Sequence, residues 1–378
     1  MNFGNLISKE EMYNKLDVLV SKIKSISENK KILIITHDDL DGFVSAYCFE
    51  KYLESIGFKI EIKEIDYADL VDFNSYCEKL TLNKYNTIVV LDIFDKLFLT
   101  MFEKNNYFFV DHHDGSKQYF VNENMINISN YFNTDVVPSM GAYLYGYTKD
   151  KINFPSWFSL VAKFTDGTYE SNEFFIPLLD ETENNYFRSL PRQEIIEFIQ
   201  FINDFYNNQL DINGIYPVFR ECVDSGNLFY YLFSNSKDIV YLRNLKKKID
   251  VAKNKLLSKC LIKNKIYPRE KLVLFQINEK EIGLRRLVHN TLEYAFDKYN
   301  TLFLIKKKDG YVLSYRTNSL KFDVIKYLKP IYESYCEFGG HSFAAGGYFK
   351  SEFKKRFIKD TLTFFKKYYS NENKTEDQ

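Results

Sequence analysis

One stretch decides the fold: residues 31–42 read KILIITHDDLDG. Residues 31–36 are a short run of apolar and β-branched residues, which predicts a buried strand. His37 follows the end of that strand, and Gly42 opens a run of apolar residues at helical spacing that closes at Gly57. The stretch therefore predicts a strand, an acidic turn and a helix, in that order.

The pattern of an apolar strand followed by polar residues recurs further along the chain. Residues 87–91 and 107–110 are apolar strands that end at Asp92 and at Asp111-His112-His113. Strands that alternate with helices predict a largely parallel sheet with helices on both faces. Polar residues at the carboxyl ends of such strands mark the ligand crevice. Taken alone, Asp92 is equally consistent with an ordinary loop acid.

Composition excludes several classes of protein. The chain has 378 residues, enough for two domains, and its 51 basic and 51 acidic residues cancel, so it is no polycation that coats nucleic acid. Its five cysteines are scattered without a CxxC pair, which argues against disulfides or a thiolate zinc site and favours a reducing cytoplasm. No apolar run approaches the length of a membrane span, so no membrane partner is expected.

Charge is concentrated in one place. Between Arg243 and Lys271 there are eleven basic residues and two acidic ones. A solvated helix face explains such a run, and so does a phosphate-rich substrate passing nearby. The run has an apolar seam at helical spacing, which predicts a long helix that ends before Pro268. The seam consists of Leu242, Leu245, Ile249, Leu256 and Cys260.

The last third has a β-α-β-β-α pattern. Residues 272–275 predict one strand, and residues 302–305 with 311–315 predict a hairpin across Lys308-Asp309-Gly310. At the other end of the chain, residues 8–28 predict a helix that a capping box opens. The polar tail after residue 369 is expected to be disordered.

Four of the five histidines lie in three short motifs beside carboxylates or glycines. In His37-x-Asp39-x-Asp41 the alternate residues of an extended turn can point to one side. Helix capping explains one of these acids, but not all of them beside a histidine. Imidazole and carboxylate together suit a divalent transition metal, so a metal-dependent enzyme is predicted. His289 matches no motif and is interpreted as structural.

At this point a resemblance to a known family is specific. Asp111-His112-His113 resembles the signature that names the DHH phosphoesterase superfamily. The family's other elements follow in order: His37-x-Asp39-x-Asp41-Gly42 resembles motif I, Asp92 motif II, and Asp166 in Phe164-Thr165-Asp166-Gly167 motif IV. The form of motif I is similar to that of the nano-RNase B and RecJ-like branches.

The last third resembles the DHHA1 substrate-binding domain of the same superfamily. Ser314-Tyr315-Arg316 and residues 339–347, GGHSFAAGG, match its two sequence elements. Glu337 and Phe338 stand where the family usually has glycines, which predicts a stiffer and more negative glycine loop with a narrower range of substrates. Residues 175–265 match no motif of the family.

The resemblance implies an α/β architecture with four parts. An N-terminal DHH domain (1–175) with a parallel sheet and helices on both faces binds the metals. A helical segment and basic connector (176–265) leads to a smaller α/β DHHA1 domain (266–369) and a disordered tail (370–378). The active site is expected in the cleft between the domains.

The resemblance also implies a ligand set for two Mn²⁺ ions, with Mg²⁺ as a possible substitute. The first ion is assigned to His37, Asp39 and Asp92, and the second to Asp41, Asp92, His112 and Asp166, with Asp92 as the bridge. The catalytic residues are Asp92, Asp111 and His113: Asp111 orients a neighbouring imidazole, and His113 touches the phosphate or protonates the leaving oxygen. The implied substrate-binding residues are Ser314, Arg316, Gly339, Gly340 and His341.

The function implied is that of a hydrolase, a phosphodiesterase or exonuclease that removes mononucleotides from short RNA, as an oligoribonuclease does. Alternatives are a RecJ-like exonuclease on single-stranded DNA, a phosphodiesterase for linear or cyclic dinucleotides, and a non-catalytic scaffold that binds nucleic acid. Expected partners are short single-stranded RNA or DNA, or dinucleotides, in the cytoplasm. The oligomeric state stays open, with a homodimer among the options.

Overall fold

The computed structural model of the chain describes residues 6–26, 31–65, 84–85, 87–94, 98–99, 106–113, 123–132, 137–167, 169–176, 192–203, 215–278, 288–289, 291–292, 295–317, 322–340 and 344–376. The chain divides into two compact units, Met1–Arg243 (unit 1) and Asn244–Gln378 (unit 2). The boundary lies inside a long helix, so the helices that precede it along the chain belong to the first unit. No helix in the described part of the chain combines the length and apolarity needed to cross a lipid bilayer.

The described residues of unit 1 form five strands and most of the helices. Its strands are β1 Lys31–His37, β2 Lys59–Ile65, β3 Thr87–Leu91, β4 Asn106–Asp111 and β5 Met125–Asn127. Its helices are α1 Lys9–Ile26, α2 Leu40–Ser55, α3 Met140–Thr148, α4 Phe158–Lys163, α5 Tyr169–Asn172, α6 Arg192–Asn203, α7 Tyr216–Asp224 and α8 Tyr230–Phe233. The long helix α9, Lys237–Lys263, begins in this unit.

The sheet of unit 1 is parallel throughout, with strand order β2-β1-β3-β4-β5. This confirms the predicted fold class. Strands β1 and β3 lie in the middle and are buried along almost their whole length, which is why their sequences are continuous apolar runs. Strand β5 was not predicted because it has only three residues.

Helix α1 begins with the predicted capping box. The backbone N–H of Ser8 donates to Glu11 Oε2 at 2.7 Å, and the N–H of Glu11 donates to Ser8 Oγ at 3.1 Å. These reciprocal bonds satisfy two N–H groups that the first helical turn leaves without partners.

Helix α2 is the buried centre of unit 1. It carries an acid, Glu50, whose side chain is 1% exposed and pairs with Arg220 of α7. Tyr216 of α7 also donates its hydroxyl to Glu50, at 2.5 Å. A buried charge is tolerated only when it is paired and hydrogen-bonded. The two helices are thereby fixed to each other, which places part of the segment without family motifs directly on the helix that follows the acidic turn.

Unit 2 is built on a mixed sheet with strand order β10-β11-β9-β8-β7-β6. The strands are β6 Lys265–Tyr267, β7 Leu272–Asn278, β8 Asn300–Lys306, β9 Gly310–Arg316, β10 Cys336–Gly340 and β11 Ala344–Lys350. Helices α10 Val324–Tyr332 and α11 Lys354–Glu376 pack on one face of it. The other face packs against α9 through Leu256 and Cys260. The hairpin predicted for β8 and β9 is confirmed.

Two expectations for unit 2 are wrong. The glycine-rich segment is two antiparallel strands, β10 and β11, on either side of residues 341–343, because Phe338 and Ala345 are buried in the core. The final helix continues to Glu376, so most of the tail expected to be disordered is helical. The apolar face of that helix, which includes Phe357 and Phe365, anchors it to the sheet and lets it extend beyond its last core contact.

Gly42 is a position of unit 1 at which an added side chain does not fit. A Cβ there would lie 2.2 Å from the carbonyl oxygen of His37, which is backbone and has no room to move. We predict that Gly42→Ala lowers the free energy of unfolding in urea by about 1–3 kcal/mol, the usual range for overpacking. The control is Gly339→Ala, because no atom lies within 4 Å of the added methyl group. Equal stability of the two variants would contradict the close approach.

Candidate metal centre

The carboxyl ends of three neighbouring strands supply the site. His37 is the last residue of β1, Asp92 directly follows β3, and Asp111 ends β4. Because β1, β3 and β4 are adjacent and parallel, their ends meet at one edge of the sheet. His37, Asp92 and Asp111 are all buried. The structure thus brings together side chains that are far apart in the sequence.

The turn between β1 and α2 adds two carboxylates. Asp39 is the N-cap of α2: its Oδ1 accepts from the N–H of Gly42 at 3.0 Å. Its other oxygen, Oδ2, lies 2.9 Å from Nδ1 of His37. Asp39 therefore does cap the helix, but capping uses only one of its two carboxylate oxygens.

Asp41 is held by the start of another helix. Its two carboxylate oxygens accept from the backbone N–H groups of Met140, at 2.9 Å, and of Gly141, at 2.7 Å. A Cβ at Gly141 would lie 2.8 Å from Asp41 Oδ1, so this close approach requires glycine. The N-terminus of α3 thereby stabilises negative charge on a carboxylate that is 1% exposed.

Asp92 and Asp166 have an unusual backbone. Their φ angles are 60° and 55°, in the left-handed region that is strained for residues other than glycine. Such strain persists only where the surrounding structure imposes it, and it is found preferentially at functional sites. In both residues it turns the side chain toward His112.

Three carboxylate oxygens surround Nε2 of His112. Their distances to it are 3.2 Å for Asp92 Oδ1, 3.3 Å for Asp166 Oδ2 and 3.6 Å for Asp41 Oδ2. Nδ1 of the same ring lies 3.2 Å from the carbonyl oxygen of Pro138. A carbonyl only accepts, so Nδ1 carries the proton in the neutral ring. The lone pair of Nε2 then faces the carboxylates.

That arrangement fits a cation. Both Nε2 of His112 and Oδ1 of Asp92 are buried and lack a hydrogen bond of good geometry within the described part of the chain. A lone pair facing several carboxylates is repulsive unless a proton or a metal ion lies between them. The donor set is imidazole and carboxylate without thiolate, which suits Mn²⁺ and similar ions.

The donor atoms fall into three groups, each with its atoms within 4.8 Å of one another. The groups are His37, Asp39 and Asp92; Asp41, His112 and Asp166; and Asp92, His112 and His113. The first group has the residues that the sequence implied for one ion, and the second has the residues implied for the other ion except Asp92. The third brings in His113, which had been assigned to catalysis.

His113 is oriented by its neighbours. Its Nδ1 lies 2.7 Å from Oδ1 of Asp111, a fully buried carboxylate. Asn127, at the end of β5, donates from Nδ2 to the backbone carbonyl of His113 at 2.9 Å. A carboxylate on Nδ1 fixes that nitrogen as the donor and sets the orientation of the ring.

Crowded charges shift the pKa values of the site. Burial and the nearby Asp166 carboxylate raise the pKa of Asp41 to about 7. Burial and the Asp41 carboxylate raise the pKa of Asp92 well above its usual range. Burial alone would lower the pKa of His112, but the carboxylates of Asp166 and Asp92 raise it well above its usual range. Burial likewise opposes the charged form of His37, yet Asp39 raises its pKa to about 9. The ion-free cluster therefore binds protons where it would otherwise bind a cation.

The residues assigned to substrate binding lie on neighbouring strands of unit 2. Gly346 of β11 is paired with Gly339 on one side and with Ser314 on the other. Arg316 is two residues further along β9 and partly exposed, while Gly340 ends β10. His341 lies outside the described residues. These assignments stay predictions.

Ser314 has a contact that the sequence did not suggest. It is 5% exposed, and its Oγ lies 3.1 Å from Nδ1 of the fully buried His289. Nε2 of His289 lies 2.7 Å from Thr301 Oγ1, so both ring nitrogens have hydroxyl partners. The histidine is structural, as interpreted from the sequence, and it fixes the serine in place.

Sequence reasoning missed the residues that hold the metal-site loops together. Buried Asn172 accepts from the N–H of Ser139 at 2.7 Å and donates to the carbonyls of Lys163, at 3.1 Å, and Thr165, at 3.3 Å. Ser139 caps α3, whose N–H groups hold Asp41. Thr165 directly precedes Asp166 in the chain. Asn172 therefore joins the loops that position two carboxylates, and only its place in the fold could have indicated this.

Comparison with known proteins identifies the fold. No protein-family model matches the sequence, and no curated protein matches it. Solved structures do match. The chain is similar to RecJ from Thermus thermophilus in complex with Mn²⁺, with 12% identity, a TM-score of 0.59 and coverage of 96% of this chain and 55% of that one. The chain thus spans about half the length of that protein.

Two further structures match along nearly their whole length. An exonuclease RecJ bound to manganese has 11% identity, a TM-score of 0.58 and 94% coverage of both chains. The DHH domain of a member of a ribosomal-protein family has 13% identity and a TM-score of 0.61, and the match covers 97% of this chain and 94% of that one. The chain has the fold of these RecJ and DHH-domain structures, which is the fold that the resemblance in the sequence implied.

The hydrogen bonds of Asn172 yield a prediction for metal binding. Asn172→Ala leaves the N–H of Ser139 buried without its acceptor, which costs about 1–3 kcal/mol of folding free energy. The segments that position Asp41 and Asp166 then lose every hydrogen bond through Asn172 and keep the direct one between Ser139 Oγ and Thr165 Oγ1. Because they are held less firmly, we expect the affinity for Mn²⁺ to fall about 10–100-fold, as for residues that orient metal ligands. Isothermal titration calorimetry on the folded variant measures this.

The control separates positioning from general loss of stability. Val218 is buried in α7 and contributes no donor to the cluster, so Val218→Ala should destabilise unit 1 without changing Mn²⁺ affinity. If both variants bind Mn²⁺ as the wild type does, Asn172 has no role in positioning.

Proposed function

We propose that the protein is a metal-dependent phosphodiesterase that hydrolyses short single-stranded RNA to mononucleotides, with Mn²⁺ as its metal. One observation carries the proposal: three buried or partly buried carboxylates from separate segments of the chain converge on Nε2 of His112. Divalent cations bound there would lie beside His113, whose ring is paired with the Asp111 carboxylate. Such an arrangement is suited to hydrolysis of a phosphodiester. The fold that this chain shares with nucleases adds support, and the scattered cysteines fit a cytoplasmic location.

The protein's side chains divide the work. His37, Asp39 and Asp92 would hold one ion, and Asp41, Asp92, His112 and Asp166 the other, with Asp92 as the bridge. When bound, such a pair of ions activates water and neutralises the charge of the phosphate.

His113 is the proton donor to the leaving oxygen. Its Nδ1 is engaged by Asp111, so Nε2 is the nitrogen that gives a proton to the leaving oxygen. Asp111 stabilises the protonated ring and keeps it in one orientation. His113 is 21% exposed at its side chain, which leaves it accessible to a substrate.

Recognition of the substrate is assigned to unit 2. Arg316 offers a forked cation that suits a terminal phosphate. Gly339 carries no side chain, and no atom of the described residues lies within 4 Å of where a Cβ would stand, so a nucleotide can approach the backbone closely. With Ser314, Gly340 and His341 these residues would bind the end of the strand and favour short substrates.

Asp92→Asn tests the bridging role. Asparagine tolerates the left-handed backbone at this position, so the fold should persist, but it is neutral and a poor bridge. We expect turnover to fall at least about 100-fold at every Mn²⁺ concentration. The matched control is Asp323→Asn, because asparagine also caps a helix well and Asp323 only caps α10. Activity that excess Mn²⁺ restores would exclude the bridge.

The substrate class is tested by length. The protein is incubated with Mn²⁺ and end-labelled RNA and DNA that span dinucleotides to strands of about twenty nucleotides, and the products are resolved on a gel. Rapid loss of the shortest RNAs alone is expected, because a second domain that binds the end of the strand would favour short chains. Processive loss of long DNA would instead indicate a RecJ-like exonuclease, hydrolysis of dinucleotides alone would indicate a dinucleotide phosphodiesterase, and no hydrolysis would favour a scaffold.

A further inference from the structure

The part of α9 that belongs to unit 2 has an unbalanced charge. Residues 244–263 contain seven lysines, one aspartate and no glutamate. Exposed helices usually place acids three or four residues from their lysines, because such pairs stabilise the helix and like charges destabilise it. The single acid, Asp250, contacts Lys246 at 2.9 Å and Lys253 at 3.8 Å. Lys248, Lys255 and Lys263 have no acid three or four residues away in this segment.

Three of those lysines form a stripe on the surface. Lys248, Lys255 and Lys263 are exposed, and none makes an ion pair within the described part of the chain. They are separated by seven and eight residues, which is about two turns each, so they lie along one side of the helix. At 1.5 Å per residue the stripe is about 22 Å long.

Two apolar side chains lie in the same stripe. Val251 is 72% exposed and Ile262 is 81% exposed, and helical spacing places them between the lysines. The apolar seam of α9 points elsewhere: Ile249, Leu256 and Cys260 are buried. Exposed apolar groups therefore alternate with uncompensated cations, although the helix already has a separate buried face. We define the basic stripe as these five exposed residues, Lys248, Val251, Lys255, Ile262 and Lys263.

We propose that the basic stripe binds a single-stranded nucleic acid along its sugar–phosphate backbone. This rests on the proposed function and extends it, because it assigns a surface of unit 2 to the part of the strand away from the reacting phosphate. Cations spaced along one line suit the repeating negative charge of a strand. Apolar side chains between them suit the faces of unpaired bases, which a duplex keeps stacked in its interior.

An anionic membrane is the competing occupant, and the structure disfavours it. A helix that lies in a membrane inserts a continuous apolar face. The continuous apolar face of α9 is turned into the core of the protein, and the stripe offers only two separated aliphatic side chains.

The test removes the charge of the stripe. Binding of a fluorescent twelve-nucleotide RNA is measured by anisotropy at several salt concentrations, with a chelator present so that the strand is not cleaved. The triple variant Lys248→Gln, Lys255→Gln, Lys263→Gln should bind about 10–100-fold more weakly. Its salt dependence should fall by about two units in the slope of log affinity against log salt, since each phosphate contact contributes about 0.7.

A matched variant controls for charge. Lys355, Lys359 and Lys366 are exposed on α11 of the same unit at comparable spacing along one helix face. Their triple replacement by glutamine removes the same charge and should change the affinity little. An equal loss in both variants, or no loss in the first, would overturn the proposal, as would stripe-dependent binding of phosphatidylserine vesicles that exceeds binding of the RNA.

A second readout separates this proposal from the proposed function. Hydrolysis of a dinucleotide with Mn²⁺ should be unchanged in the stripe variant, because that substrate is too short to need the stripe. If the wild type hydrolyses no phosphodiester, the proposed function fails. Strand binding that still depends on the stripe would then support the stripe alone.

Discussion

The structure of unit 1 depends on the repulsion between buried carboxylates beside His112. Asp41 and Asp92 are 1% exposed, whereas Asp166 is the more exposed carboxylate of the cluster, with 32% of its side chain exposed. Charges a few ångströms apart in a poorly screened environment repel strongly. A protein that folds into this arrangement needs protons or metal ions to relieve the repulsion. The nitrogen lone pair directed into the cluster favours metal ions as the natural partners.

The surrounding elements impose that arrangement on the chain. Helix α3 directs backbone N–H groups at Asp41, and the strained backbone of Asp92 and Asp166 turns their side chains inward. Asn172 joins the segments of Ser139 and Thr165 by hydrogen bonds. Together these features hold negative charge at one point of the fold. The strained backbone costs folding free energy, which a purely structural cluster would not justify.

Much of this could be predicted from the sequence, because short strands that end in polar residues make a strong pattern. That pattern predicts the parallel sheet, the basic helix and the convergence of His37, Asp92 and His112. The order of the motifs indicated the resemblance to the DHH phosphoesterases. Tertiary context determined the rest. Strand β5 is too short to give a pattern, and the glycine-rich strands of unit 2 resemble a loop until Phe338 and Ala345 are seen in the core. Asn172 looks like any other polar residue in the sequence, since its hydrogen bonds join distant segments.

The central claim is that this cluster holds a pair of divalent cations. The most direct measurement is a crystal structure of the protein soaked in Mn²⁺, with anomalous scattering used to locate the ions. The account predicts two peaks about 3.5–4 Å apart, with the carboxylate of Asp92 between them. One peak, peaks bound elsewhere on the chain, or none at saturating Mn²⁺ would contradict it.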